Sequence, residues 1–236
     1  MKAIIVAGGK GERLRPLTNT LPKPMLEVAG KPILEHTINL LKNYGINDFI
    51  ISVCYLSEKI KEYFGNGKKF DINIKYIYEK EDFPLGTAGN ILEARMFIDS
   101  TFIVTYADIL RELNIADMIK FHKAKKAFAT LNVYKRFGDN PKSIIAFNKN
   151  KKITSFVERP KTDNEIKNFV WSNGSFYIFE PEIFDFITDS KFIDFGKDIL
   201  PRILQQKKEI YSYPSDGMLI DIGNFEILSK AREYFI

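Results

Sequence analysis

Apolar and polar positions along the chain switch between two periods. Lys2-Ala3-Ile4-Ile5-Val6-Ala7 is a short apolar run of the kind a buried strand makes. Beyond it the spacing predicts a helix over about 31–44, a strand over 48–55, a helix over about 57–64 and a strand over 72–78, then a helix over about 87–97 and a strand over 101–106. Repeated β-α-β alternation of this kind builds a mainly parallel sheet flanked by helices. After a helix near 114–124, strands near 127–134, 143–147 and 153–158 follow without helices between them, then a longer strand near 169–179. Strands so close in the chain predict an antiparallel or mixed second half.

Composition narrows the class. The 236 residues are 45% hydrophobic and 28% charged, ordinary values for a chain expected to fold as a single domain over 1–236. The longest apolar stretches, such as Phe49 to Leu56, are far shorter than a membrane span, and the N-terminus enters a strand with no signal-like segment. A cytoplasmic protein without a membrane partner is expected. Cys54 is the only cysteine, so no internal disulfide forms; its place in the run 50–55 predicts core packing. His36 and His122, the only histidines, are too few and too far apart for a metal cluster, so any metal is expected to be held by oxygen. The net charge of +5 is spread out, and groups such as Lys123, Lys125, Lys126 and Lys149, Lys151, Lys152 fall in a helix end and a turn. That pattern is a solvated face rather than a nucleic-acid surface.

The candidate chemistry lies in residues 8–25, directly after the first strand. Gly8, Gly9 and Gly11 allow a tight bend and bring bare N–H groups against a ligand. Arg13 and Arg15 add planar forks suited to phosphate oxygens, and Lys23, between Pro22 and Pro24, is a point charge on a stiffened backbone. Two common phosphate motifs are excluded. The dinucleotide fingerprint needs a glycine where Leu14 stands, and the three Gly-Lys pairs, 30–31, 67–68 and 196–197, are followed by Pro32, Lys69 and Asp198 rather than by Ser or Thr. In open α/β sheets ligands sit beyond the carboxyl ends of the strands, where both this loop and Asp108, after the strand 101–106, are expected.

The longer signature, Gly-Gly-x-Gly-x-Arg-Leu-x-Pro-Leu-Thr followed by Pro22-Lys23-Pro24-Met25, resembles the sugar-1-phosphate nucleotidylyltransferases, with the mannose-1-phosphate guanylyltransferase and glucose-1-phosphate thymidylyltransferase types among the most similar. The resemblance runs on to Asp221 and lacks the six-residue repeats that extend some members into a second, solenoidal domain. It implies a Rossmann-like α/β fold with a mixed, mainly parallel sheet flanked by helices, and a small antiparallel sugar-binding lobe. It also implies that a nucleoside triphosphate and a sugar 1-phosphate are the partners, magnesium (Mg²⁺) is the cofactor, and a homo-oligomer is compatible with the sequence without being fixed by it.

Carried over residue by residue, the resemblance gives Arg13 and Lys23 catalytic roles and makes Gly8, Gly9 and Gly11 the triphosphate bed. Asp108 matches a metal-binding aspartate, although Tyr106-Ala107 stands where Asn-Gly is usual, and Asp221 in Asp-Ile-Gly matches the second metal ligand. From the residues alone, capping of a following helix is the favoured reading of Asp108, and the resemblance reverses it. Gly86 and Thr87 match a turn that lies against the nucleoside, Thr87 also being able to cap a helix, and Glu79 matches the position that bonds the base edge. A carboxylate only accepts, and guanine offers two adjacent donors where uracil and thymine offer one, so GTP is favoured over UTP and dTTP. A uridylyl- or thymidylyltransferase of the same family is the alternative, since a glutamate at this point also resembles uridylyltransferases. Glu158, Arg159 and Asn173 match the residues that hold the sugar and its phosphate, with Arg159 in place of the usual lysine. A mannose- or heptose-type sugar is favoured. The departures at Tyr106, Ala107 and Arg159 leave a second class open, a catalytically silent nucleotide-sugar sensor or regulatory subunit.

Overall fold

The computed structural model describes residues 1–79, 85–135, 142–161, 170–187 and 192–235. They group into two compact units, one of residues 1–84, 105–113 and 217–236, the other of 85–104 and 114–216.

In the first unit the apolar runs form three parallel strands. Lys2–Val6 pairs with Asp48–Val53, and Asp48–Val53 with Asn73–Tyr78. The helix Ile33–Lys42 covers them because its apolar residues fall on one face, burying Ile33, Leu34, Ile38 and Leu41 completely. Each such side chain contributes about 1.5–3 kcal/mol relative to exposure. A second helix, Ser57–Phe64, buries Ile60 and Phe64. Because the strands are parallel, their carboxyl ends share one edge, where Ala7 N–H donates to Ser52 O at 2.8 Å and Glu79 N–H to Val53 O at 2.9 Å. The glycine loop and Glu79 therefore leave the sheet on the same side. The short strands Ile109–Arg111 and Leu219–Asp221 pair antiparallel beside this edge. A cluster containing Leu14, Leu26, Ile33, Leu110, Ile222 and Leu228 ties the loop, this ribbon and the helix Phe225–Tyr234 into one core.

The second unit carries the expected closely spaced strands. Ile153–Glu158 pairs antiparallel with Ser143–Phe147, and Trp171–Phe179 antiparallel with Ala129–Lys135. The strand Ile210–Ser215, absent from the sequence reading, adds in parallel to Ala129–Lys135, so the sheet is mixed. The helix Ile115–Lys125 is capped by the Asn114 side chain, which accepts from Asp117 N at 3.1 Å.

Three expectations about elements change. The helix over 87–97 is instead one turn, Gly86–Gly89, followed by a 3₁₀ segment, Leu92–Phe97. The Ala88 and Gly89 N–H groups are taken by Ile193 O, which anchors the turn from outside. Cys54 lies just past the end of its strand and is half-buried rather than in the core. Asp108 is followed by a strand, Ile109–Arg111, so the helix-capping reading falls away. Both histidines have hydrogen-bond partners: His36 Nε2 donates to Val28 O at 2.8 Å, while buried His122 meets Thr130 Oγ1 at 2.8 Å and Glu180 Oε1 at 3.0 Å. Phe176, Tyr177 and Phe179 are buried packing residues.

Candidate active site

The loop after the first strand folds as three consecutive 3₁₀ turns, Glu12–Leu14, Leu17–Asn19 and Lys23–Met25. Gly11 starts the first with φ +64°, a left-handed conformation that side chains resist, and a β-carbon there would stand 3.0 Å from Thr18 Cγ2 and 3.1 Å from Lys23 Cβ. Fully buried Thr18 closes the loop by donating from Oγ1 to Gly11 O at 2.9 Å. Tyr55 OH in turn donates to Thr18 O at 3.0 Å. Thr18 and Tyr55 hold the loop's backbone and carry no signal in the sequence; the loop's closure onto Gly11 O is a seven-residue contact no motif advertises.

Lys23 is nearly buried, and its Nζ donates to Asp108 Oδ2 at 2.5 Å. Asp108 reaches that place because Ala107 N–H donates to Val6 O at 3.0 Å, which carries it alongside the glycine loop. A charged lysine with little solvent needs such a partner, and the pair fixes both side chains. Arg13 is exposed, with its guanidinium 3.3 Å from where a β-carbon on Gly223 would lie; the bare glycine makes room for it. Asp221 pairs with Ile109, the neighbour of Asp108, and Ile222 N–H donates to Asp108 O at 3.0 Å, so two carboxylate-bearing residues occupy adjoining strand ends.

These residues enclose a cavity of about 570 Å³ lined by Gly9, Lys10, Gly11, Glu12, Arg13, Leu14, Lys23, Asp108 and Gly223. Gly8 and Asp221 adjoin this wall in the chain. A β-carbon on Gly9 would meet nothing within 4 Å, so that glycine keeps the cavity clear rather than shaping a turn. Bare N–H groups, a lysine and an arginine beside two acidic residues suit a polyphosphate. Among the described residues no group of three or more His, Cys, Asp or Glu could hold a metal ion. Two carboxylates with phosphate and water oxygens suit Mg²⁺, which seldom takes an all-protein cage.

Glu79 stays in the first unit, at the carboxyl edge of its strands, and the second unit carries the remaining candidates. Gly86 has φ +78°, and a β-carbon on it would lie 2.4 Å from Ile193 O. Thr87 Oγ1 donates to Asp194 Oδ2 at 2.9 Å and accepts from Phe195 N–H at 3.0 Å, so its hydroxyl is bound to that segment, not spent as a helix cap. Half-buried Glu158 lies against Gly196, where a β-carbon would stand 2.6 Å from Oε2. Burial, helped by the negative charge of Asp194, pushes the Glu158 carboxyl up to about 7, while Arg159, Lys197 and Lys142 pull it back. Asn173 Nδ2 donates to Tyr177 OH at 2.7 Å and its Oδ1 accepts from Ser175 N–H at 3.1 Å. Arg159 is exposed, with φ +50° and its N–H on Lys142 O at 2.8 Å.

A family model described as nucleotidyl transferase matches residues 2–235. The chain belongs to that family. Its fold agrees with this: a Bacillus anthracis structure described as a glucose-1-phosphate thymidylyltransferase superposes with a TM-score of 0.89 at 21% identity, covering 99% of this chain and 94% of that one. The chain is 34% identical to the UTP–glucose-1-phosphate uridylyltransferase of Synechocystis over 94% of its length, and 34% identical to the mannose-1-phosphate guanyltransferase of Schizosaccharomyces pombe over 94%. It spans 60% and 61% of those relatives. The nucleotidyltransferase resemblance and the mixed, mainly parallel sheet flanked by helices are thus borne out. No helix among the described residues is long and apolar enough to cross a membrane.

The Glu158 carboxyl makes a measurable prediction. Its folded pKa of about 7 exceeds the ordinary 4.5, so the folded state holds a proton that the unfolded state has lost, and stability falls as pH rises through that interval. Relative to Glu158→Gln, the wild-type melting temperature should climb as pH is lowered from about 7 to about 4.5. Parallel curves across that range would show that Glu158 ionises normally.

Proposed function

We propose that the chain joins a nucleoside triphosphate, GTP by preference, to a sugar 1-phosphate of mannose or heptose type, giving a nucleotide diphosphate sugar and pyrophosphate. The observation that carries this reading is the convergence of the glycine loop, Arg13, Lys23 and Asp108 on one cavity. An oxygen of the sugar phosphate attacks the α-phosphorus, a new P–O bond forms, and the bond to the bridging α,β-oxygen breaks to release pyrophosphate. The nucleophile is already an anion at neutral pH, so no general base is needed. The difficulty is to gather several negative groups in line, and positioning with charge neutralisation lowers that barrier.

In this reading Arg13 holds the departing pyrophosphate, Lys23 lies between the α-phosphate and the incoming phosphate, and Gly8, Gly9 and Gly11 present N–H groups to the triphosphate. Asp108 and Asp221 would hold Mg²⁺, which when bound supplies positive charge to the phosphate oxygens. Gly86 and Thr87 serve the nucleoside, and Glu158, Arg159 and Asn173 the sugar phosphate. The guanine preference rests on Glu79, an acceptor at the carboxyl edge of the parallel strands. The relatives support the reaction class and divide over the base, one named for UTP and another as a guanyltransferase.

The direct test incubates the protein with each of four nucleoside triphosphates and a panel of hexose, heptose and amino-sugar 1-phosphates and measures pyrophosphate. GTP should turn over fastest; no release with any pair would leave a sensor or regulatory subunit as the better reading. Glu79→Gln should narrow the GTP preference about tenfold, the scale of one lost charged hydrogen bond, because an amide can also donate to a pyrimidine. Faster turnover of UTP or dTTP by the wild type would remove the guanine assignment. Asp108→Ala should lower turnover on the order of 10²–10³-fold, and full activity of that variant or of the wild type in excess chelator would remove the metal assignment.

A further inference from the structure

The segment Ile193–Lys197 makes more contacts than a connector needs. On one side it grips the turn at Gly86. Ile193 N–H donates to Leu85 O at 2.8 Å, Ile193 O accepts from Ala88 N–H at 3.0 Å and Gly89 N–H at 3.3 Å, and the Thr87 hydroxyl is held by Asp194 Oδ2 and Phe195 N–H. The other carboxylate oxygen of Asp194 accepts from Gly196 N–H at 2.9 Å and Lys197 N–H at 3.0 Å, which starts the helical turn Phe195–Ile199. On the other side Gly196 abuts the Glu158 carboxylate so closely that a β-carbon would collide with it. The Phe195 ring packs 5.6 Å from the Tyr177 ring, whose hydroxyl accepts from Asn173. Both hydrogen-bonding functions of the Thr87 hydroxyl that face the protein are therefore used.

We propose that Thr87 and Asp194 are positioning residues: their hydrogen bond locks the segment Ile193–Lys197, and through it one joint sets the geometry of both the nucleoside-side turn at Gly86 and the sugar-side groups Glu158 and Asn173. This rests on the nucleotidyltransfer reading above and changes the part Thr87 plays in it. A residue that only contacted the nucleotide would affect binding of the triphosphate alone. A joint affects both substrates, and the effects of its two halves do not add.

Steady-state pyrophosphate release, varying each substrate in turn, tests this. Thr87→Val keeps the shape and loses both hydrogen bonds; it should raise KM about tenfold for the triphosphate and for the sugar 1-phosphate alike, the scale of one charge-assisted bond. Thr87→Ser, which keeps the hydroxyl, should stay within about twofold of wild type on the same scale. Asp194→Asn should raise both KM values, and the double variant should be no worse than the worse single one. A rise in KM for the triphosphate alone, a serine variant as impaired as the valine variant, or additive effects would each overturn the joint. If Thr87→Val fails to fold by thermal unfolding, the Asp194→Asn protein carries the same two-substrate comparison. Absence of release by the wild type with every substrate pair sinks the nucleotidyltransfer reading and this inference with it, whereas an active wild type whose variants shift one KM sinks this inference alone.

Discussion

The contact between Lys23 and Asp108 is the constraint around which the first unit is arranged. A lysine with 9% exposure is costly unless its charge is met, and the partner comes from 85 residues along the chain. Meeting it requires the first strand to end at a bend, which Gly11 permits, and requires Ala107 to dock on Val6 so that Asp108 faces the loop. The small side chains at 107 and 223 follow from that packing: Ala107 is buried, and Gly223 leaves space for the Arg13 guanidinium. On the proposed reading Lys23 stands in place before any phosphate arrives, which is the condition for electrostatic catalysis without reorganisation.

The second unit solves a different problem. Its polar groups are arranged by mutual attachment, with Asp194 as the shared acceptor for Thr87, Gly196 and Lys197 and as the charge that helps raise Glu158. The Glu158 carboxylate is not isolated from cations, since Arg159, Lys197 and Lys142 all oppose the shift. A carboxyl that changes charge near neutrality is one whose hydrogen-bonding character toward hydroxyl groups changes with it.

Much of this was legible in the sequence because it depends on local pattern. The runs at 2–7, 48–55 and 72–78 became the three parallel strands, and Arg13 and Lys23 of the loop at 8–25 came together on one cavity, whereas Arg15 does not line it and lies exposed near Glu12. What could not be read depends on partners distant in the chain. The stretch 87–97 is one turn and a 3₁₀ segment, its first N–H groups held by Ile193 O, and Thr87 pairs with a residue 107 positions away. The strand Ile210–Ser215 contains Pro214, which argues against a strand unless its missing N–H faces away from the ladder. Asp108 could be a cap or a site residue until the structure showed a strand after it.

If the account is right, the ammonium of Lys23 matters most when two phosphates are forced together, so its loss should appear in the chemical step rather than in binding. The decisive measurement is the single-turnover rate of pyrophosphate formation by Lys23→Ala at saturating concentrations of both substrates, beside the affinity for the triphosphate. The rate should fall on the order of 10²–10³-fold, with the affinity changed far less, and Lys23→Arg should not restore it, because a planar fork does not replace a compact charge held between prolines. A variant that reaches the wild-type rate at saturation, with only weaker binding, would contradict the claim that this charge acts on the transition state.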